Sequence, residues 1–427
     1  MNSTYGEKLN PYRKYREPLG IKGVKQSVVT THNPSVVDQG DRLTVRFPNL
    51  GRDDVIVPGT VKLAFEIELE SEDPNRTVVQ NLGRAIVKEI TIKLDSREIF
   101  SLTDSDIFYT YVDLWLSKNE RDDLAYQGIQ SELLSKSQLG AQNGANTAAN
   151  ASIQAIVKTY RNRFYIPLDF EILTCTSPFL QSALNDRLSY ELVFNDYKRV
   201  VMCDKSDGKY KISGISLEYD IVTNPELAGI IRRNYDSKAV IYYDRILRHR
   251  REVKNKADTV WNFNLNTPAR SFKGILMLFQ IPNEPFERKS EEYYNPLIKH
   301  VSLIIEGKPN QLYASGLLPY QHFDEIRKFL GGGRLRNPTV DLISKDLHVH
   351  DVRLDEYLTN KYGLWLDFRT TDDSVLHGSG RRIEGSDGVT IQVHKEKTAD
   401  SPVDVYIFIV SDAQINLEKG RLNEVMY

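Results

Sequence analysis

Cysteine is almost absent from this chain: 427 residues carry two, Cys175 and Cys203. Two thiols cannot form a disulfide scaffold, so the fold rests on its own core, and the scarcity fits a reducing compartment. A surplus of charge of either sign is missing too. With 56 Lys and Arg against 58 Asp and Glu, the formal balance is -2, too small a field to make a general polyanion binder. No sequence-specific nucleic-acid partner is expected. Long apolar runs are also lacking. Stretches such as GILMLF (274–279) and VYIFIV (405–410) fall far short of the roughly 20 residues a spanning helix requires. The N-terminal stretch has no apolar core ahead of a small-residue cleavage site, so no secretory signal is expected. The sequons at Asn2, Asn75 and Asn150 then read as incidental.

What the chain does have is 23 Tyr, 16 Phe and β-branched residues in short alternating blocks, a pattern that favours sheet over helix. The chain is long enough for two domains of about 200 residues, and an internal echo divides it that way. FYIPLDF (164–170) returns as YGLWLDF (362–368), with Phe164 on Tyr362, Ile166 on Leu364, Leu168 on Leu366, Asp169 on Asp367 and Phe170 on Phe368. VKEITIKL (87–94) returns as IKHVSLII (298–305). In each copy a hairpin follows, with turns read at Ser96–Arg97 and, two residues longer, at Gly307–Asn310. A helical stretch comes next, around Ile107–Leu116 with a capping start at Thr103 or Ser105, and around Tyr320–Leu330. Then come a long loop (130–157 or 331–345) and the FYIPLDF-type strand. Pro167 places that strand at a sheet edge or bulge.

These blocks predict an all-β chain of two tandem eight-stranded jelly-roll sandwiches with short helices in the loops. We divide it into a basic arm (1–26), a first roll (27–223), a linker (224–240) and a second roll (241–427). The arm carries Lys8, Arg13, Lys14, Arg16, Lys22 and Lys25 without helical or strand period, and is expected to order only against a neighbour. Residues 225–256 read as a connection, with a helix near Leu227–Arg233. Its basic run RILRHRREVKNK (245–256) lacks interleaved aromatics, so it reads as a solvated face or an inter-subunit contact.

FYIPLDF, the helical link SPFLQSAL (177–184), the strand RLSYELVF (187–194) and the repeated order of hairpin, helix and loop resemble one family over residues 36 to 416. It is the double jelly-roll major capsid proteins of double-stranded DNA viruses, including polinton-like and adinto-like viruses, virophages and nucleocytoplasmic large DNA viruses. Ser177 and Pro178 replace the leucine-proline pair that often opens the link in that family. The resemblance implies a homotrimer whose six rolls form a pseudo-hexagonal capsomer of an icosahedral shell. It also implies outward loops at 130–157 and 331–345, and an arm facing the interior, an inner membrane or a cement protein. The partners it implies are further copies of the chain and penton or minor capsid proteins; the location is the virion.

A jelly roll can also carry an enzyme or a carbohydrate site, so cupin-like, hydrolase-like and minor capsid or vertex readings stand beside the first. The histidines with metal-ligand spacing are His348 and His350, but Glu356 lies too far on and the upstream glycine is absent, so they are weak metal candidates. His394 is a further ligand if the fold brings it close. Asp169 and Asp367 read as acceptors for turn amides, because equivalent positions in separate sandwiches cannot share a catalytic site. GGGRLR (331–336) lacks the Lys-Ser or Lys-Thr ending of a phosphate loop. No catalytic residue and no cofactor is expected.

Overall fold

The computed structural model describes residues 24–31, 36–57, 59–70, 77–116, 121, 124, 127–128, 163–168, 170, 180–184, 186–202, 208–236, 238–254, 257–267, 269–282, 290–305, 307–309, 318–330, 352–369, 380–383, 388–398 and 402–427. The first half contains β1 (Val24–Thr31), β2 (Val36–Asp38), β3 (Arg42–Arg46), β4 (Asp54–Ile56), β5 (Lys62–Glu70), β6 (Thr77–Val78), α1 (Leu82–Ala85), β7 (Val87–Leu94), β8 (Arg97–Thr103), α2 (Ser105–Asp113), β9 (Arg163–Pro167), β10 (Leu188–Phe194), α3 (Tyr197–Val200), β11 (Val201–Met202) and β12 (Lys209–Thr223). Helix α4 (Pro225–Asp236) leads into the second half. There follow β13 (Lys238–Val253), β14 (Val260–Leu265), β15 (Ala269–Gln280), β16 (Ile298–Ile305), β17 (Lys308–Pro309), α5 (Pro319–Leu330), α6 (Leu354–Asn360), β18 (Gly363–Asp367), β19 (Arg381–Ile383), β20 (Val389–Lys395), β21 (Val403–Glu418) and β22 (Arg421–Met426).

Four antiparallel sheets carry the architecture. In the first half they run β1-β12-β5-β9 and β3-β10-β7-β8; in the second, β13-β21-β15-β18 and β14-β20-β16-β17. Number the eight principal strands of each half in chain order, and both halves read 1-8-3-6 in one sheet and 2-7-4-5 in the other. That is the jelly-roll order, twice. Alternate residues point between the sheets, as the period of two dictates. In β10, Leu188, Tyr190, Leu192 and Phe194 are buried, and in β20 Val389, Ile391 and Val393. The echo falls on equivalent edge strands, β9 and β18, and Pro167 sits on the edge where its missing N–H costs no ladder bond.

Several local expectations are corrected. Both hairpins enclose two residues, since Leu94 pairs with Arg97 and Ile305 with Lys308; the second turn is no longer than the first. Asp95 (φ 54°) and Gly307 (φ 72°) supply the left-handed residue each tight turn requires. The N-cap of α2 is Asp104, itself left-handed (φ 54°) and without a side-chain cap bond, because its carboxylate is engaged elsewhere. Of the SPFLQSAL link, a 3-10 turn at Gln181–Ala183 is described. The largest correction concerns residues 238–253. The basic run is no connection: it lies mostly within β13, paired residue for residue with β21 from Lys238↔Glu418 to Val253↔Val403.

Candidate functional site: the junction of the two rolls

The two rolls meet through a helix of the first and the outward sheet face of the second. Cross-strand register puts Arg248, Phe408, Leu276 and Trp365 in one row across β13, β21, β15 and β18. The next row is Arg250, Tyr406, Leu278 and Gly363. Helix α2 covers these rows from the first roll: Phe108 packs edge-on to Phe408 (centroids 5.2 Å apart). Phe329 of α5 stacks on Trp365 at 3.4 Å. Burial on both faces explains why β21 reads as a continuous apolar run, with every residue from Val403 to Ala413 buried. Close approach needs glycine at two points. A Cβ on Gly363 would stand 2.4 Å from the Tyr111 hydroxyl, and one on Gly274 2.3 Å from the Trp365 ring.

Tyrosines dominate the buried seam, and five of them set their hydroxyls against a hydrogen-bond partner. Tyr293 donates to Ile107 O (2.9 Å) and lies 2.7 Å from Thr110 Oγ1. Tyr111 donates to Lys361 O (3.3 Å), Tyr243 to Ile99 O (2.6 Å) and Tyr357 to Gly363 O. Tyr362 lies 2.7 Å from His322 Nδ1. Burial pushes the hydroxyls of Tyr111, Tyr293, Tyr357 and Tyr362 above the usual tyrosine range, so they stay neutral.

Charges cross the seam as pairs. Arg248 of β13 meets Asp104, the cap of α2. Arg121 meets Glu291 through two bonds of 2.9 and 3.0 Å. Arg199 donates to Gln280 Oε1 (3.1 Å) and the Tyr406 hydroxyl (2.8 Å), and stands 3.7 Å from Asp106. Burial outweighs that guanidinium, and together with the nearby Asp104 it raises the Asp106 pKa to about 6. The C-terminal strand adds a clasp: Arg97 donates to Leu422 O (3.0 Å), and Leu422 N to Asp186 Oδ2 (3.0 Å). At the sheet bulge Lys273, 2% exposed, is held between Asp244 (2.7 Å) and Asp412 (2.8 Å).

The residues singled out from sequence stand as follows. Lys8, Arg13, Lys14, Arg16, Lys22, His348, His350, Asp169, Cys175, Cys203, GGGRLR and the loops 130–157 and 331–345 lie outside the described residues. Lys25 lies in β1, opposite Val222. His394 instead stacks on His300 across β20 and β16, with ring centroids 4.1 Å apart. Burial, His394 and Lys299 lower the His300 pKa. Glu356 is the third residue of α6 and accepts from Arg353 N (3.3 Å). Among the described residues no group of three potential metal ligands converges. Asp367 accepts from Arg369 N at 2.9 Å, the turn role expected of it, and also pairs with the Arg369 guanidinium. The basic run is absorbed by partners: besides Arg248, Arg250 pairs with Asp404 (2.8 Å), Arg251 donates to Asn262 O (2.9 Å) and Arg245 stacks on Tyr427. The seam itself went unread in the sequence. Its visible signal was VYIFIV, a strand without polar alternation, which marks burial on both faces.

No family model matches this sequence, and no curated protein does. Solved structures do match in fold. The chain is similar to the PBCV-1 virus capsid over 97% of its length and 98% of that chain, at a TM-score of 0.63 and 11% identity. It is similar to the structure of the Sputnik virophage (TM-score 0.58, 12% identity, 97% of this chain and 90% of that one). The mavirus major capsid protein matches at a TM-score of 0.53 and 10% identity, over 98% and 93% of the two chains. The fold is thus the double jelly roll of viral major capsid proteins, matched along nearly the whole length of each.

Proposed function

We propose that this chain is a major capsid protein, which associates as a homotrimer into pseudo-hexagonal capsomers that tile an icosahedral shell. The observation that carries this reading is the pair of rolls with identical strand order, fixed to each other by a buried seam, in a fold matched end to end by capsid structures. A tile needs that rigidity, because shell geometry is set by the angle between its parts. In this reading the chain divides into an arm (1–26), a first roll (27–223), a linker (224–240) and a second roll (241–427). The arm, with Lys8, Arg13, Lys14, Arg16, Lys22 and Lys25, faces the shell interior or an inner membrane. The long loops face outward, penton and minor capsid proteins are further partners, and the protein is at work in the virion, where its role is structural.

Mass photometry of the purified full chain, followed by electron microscopy of concentrated samples, tests the proposal. Trimers and hexagonal tiles are expected. A species that stays monomeric across concentration, salt and pH would sink it.

A further inference from the structure

On the side that faces the second roll, the first roll is not packed shut. Ile90 of β7 points between the sheets, and its neighbours across the ladder, Leu192 and Leu102, are 0% and 1% exposed. Ile90 itself is only half-buried. The space in front of it is a cavity of about 240 Å³, in an interior where voids larger than a water are ordinarily few. Helix α2 makes one wall: Phe108 and Tyr111 enter the seam, whereas Tyr109, Val112 and, in the turn beyond, Leu116 fall three and four apart on a second stripe that stays half-buried. Phe170, just past β9, makes another. Ile246 of β13 and Leu330 of α5 bring the second roll to the far side. We infer that this cavity is a binding site for a neutral molecule with one unbranched alkyl chain, and that its occupancy tightens the junction of the two rolls.

The charges on the walls decide the class of ligand. Arg84 lies over the Tyr109 ring, 4.7 Å from its centroid, and donates to Asp113 (3.2 Å). Asp113 Oδ2 also accepts from Asn81 (2.9 Å) and Gln127 (2.7 Å). Asp244 accepts from Lys273 at 2.7 Å. Each charge is met within the protein, so a charged head group would have to break one of these sets or lose its water without a partner. A hydroxyl at the half-buried mouth keeps its hydration while the chain behind it leaves water for an apolar wall. The volume exceeds the roughly 150 Å³ of a dry cavity that takes up benzene, which suits a flexible chain better than a single ring. Regulation follows from where the walls come from. A ligand that touches both rolls stabilises the arrangement in which they are together, in proportion to its concentration. Its release leaves a void beside the contact that sets the angle between the rolls. Binding does not depend on the capsid reading; only what it regulates does.

Calorimetric titration of the full chain with 1-decanol tests the site. One saturable site per chain is expected, with a negative heat-capacity change and a thermal midpoint that rises with decanol concentration. Decanoate at pH 7.5 has the same chain length and a charged head, and should bind on the order of tenfold more weakly or worse. Val112→Trp and, separately, Ile90→Phe fill the space from two walls, and each variant that keeps the wild-type circular dichroism should lose the response to decanol. A crystal soaked in 10-bromo-1-decanol locates the ligand whether or not those variants fold: the bromine's anomalous signal is expected between α2, β7 and β13. Hydrogen exchange tests the junction, since decanol should slow amides of α2 and of β13 together. Binding that never saturates, that survives both replacements, or that puts the bromine elsewhere overturns the site. Equal affinity for decanoate overturns the neutral class, and protection confined to α2 overturns the tightening.

Discussion

Buried ionisable groups at the seam differ in how well they are compensated. Lys273 has a carboxylate on either side within 2.8 Å, so its charge is met by geometry. Asp106 faces Arg199 at 3.7 Å, an arginine that donates to two other groups, and burial lifts its pKa from 3.8 to about 6. The folded state therefore holds this proton more tightly than the unfolded chain does. The stability Asp106 contributes is fully present below about pH 4 and is lost as pH rises through about 6, a swing of about 3 kcal/mol for a shift of this size. Asp106→Asn removes the titration. In urea unfolding from pH 4 to pH 7.5, the wild type is expected to lose ground steadily against the variant. A stability difference that stays constant across that range would show that Asp106 does not titrate in this window.

At the scale of elements, the seam depends on how closely α2 can lie on β18. Gly363 is the contact point, since a side chain there would run into the Tyr111 hydroxyl at 2.4 Å and Leu278 at 2.9 Å. Gly363→Ala should therefore destabilise by about 1–3 kcal/mol, the usual cost of overpacking, read as a lower urea midpoint at unchanged slope; a midpoint equal to the wild type would show that α2 is free to shift. The same region explains which elements were legible in sequence. Strands with one wet face, such as β7, β16 and β20, announce themselves by alternation, and the echo of β9 in β18 exposed the duplication. The first strand of each roll was missed. In β1 the polar VKQSVVTT continues a basic arm, and in β13 the arginines fall on both faces because their partners are other strands and the opposite roll. The cap of α2 was misplaced for a related reason. Its aspartate serves an arginine more than 140 positions away, which no local rule contains. Contacts between rolls are set by tertiary register, and only the unbroken apolar run of β21 hinted at them.

Across the whole molecule, the seam decides whether two sandwiches behave as one body. A single buried cluster runs from roll one through Phe108, Tyr111 and Trp115 into Tyr293, Tyr357, Tyr362 and Phe408 of roll two, and the C-terminal strand returns to roll one through Arg97 and Asp186. Exposing that surface would cost both rolls part of their core, so neither is expected to melt alone. Calorimetry of the intact chain should show one cooperative transition, with its calorimetric and van't Hoff enthalpies in agreement. Phe408→Ala sits in β21 at the centre of the contact. It should cost about 3–5 kcal/mol and, by uncoupling the rolls, broaden or split the transition. Two well-separated transitions in the wild type would mean that the seam is too weak to fix the angle between the rolls, and a chain of that kind could not hold the geometry of a shell tile.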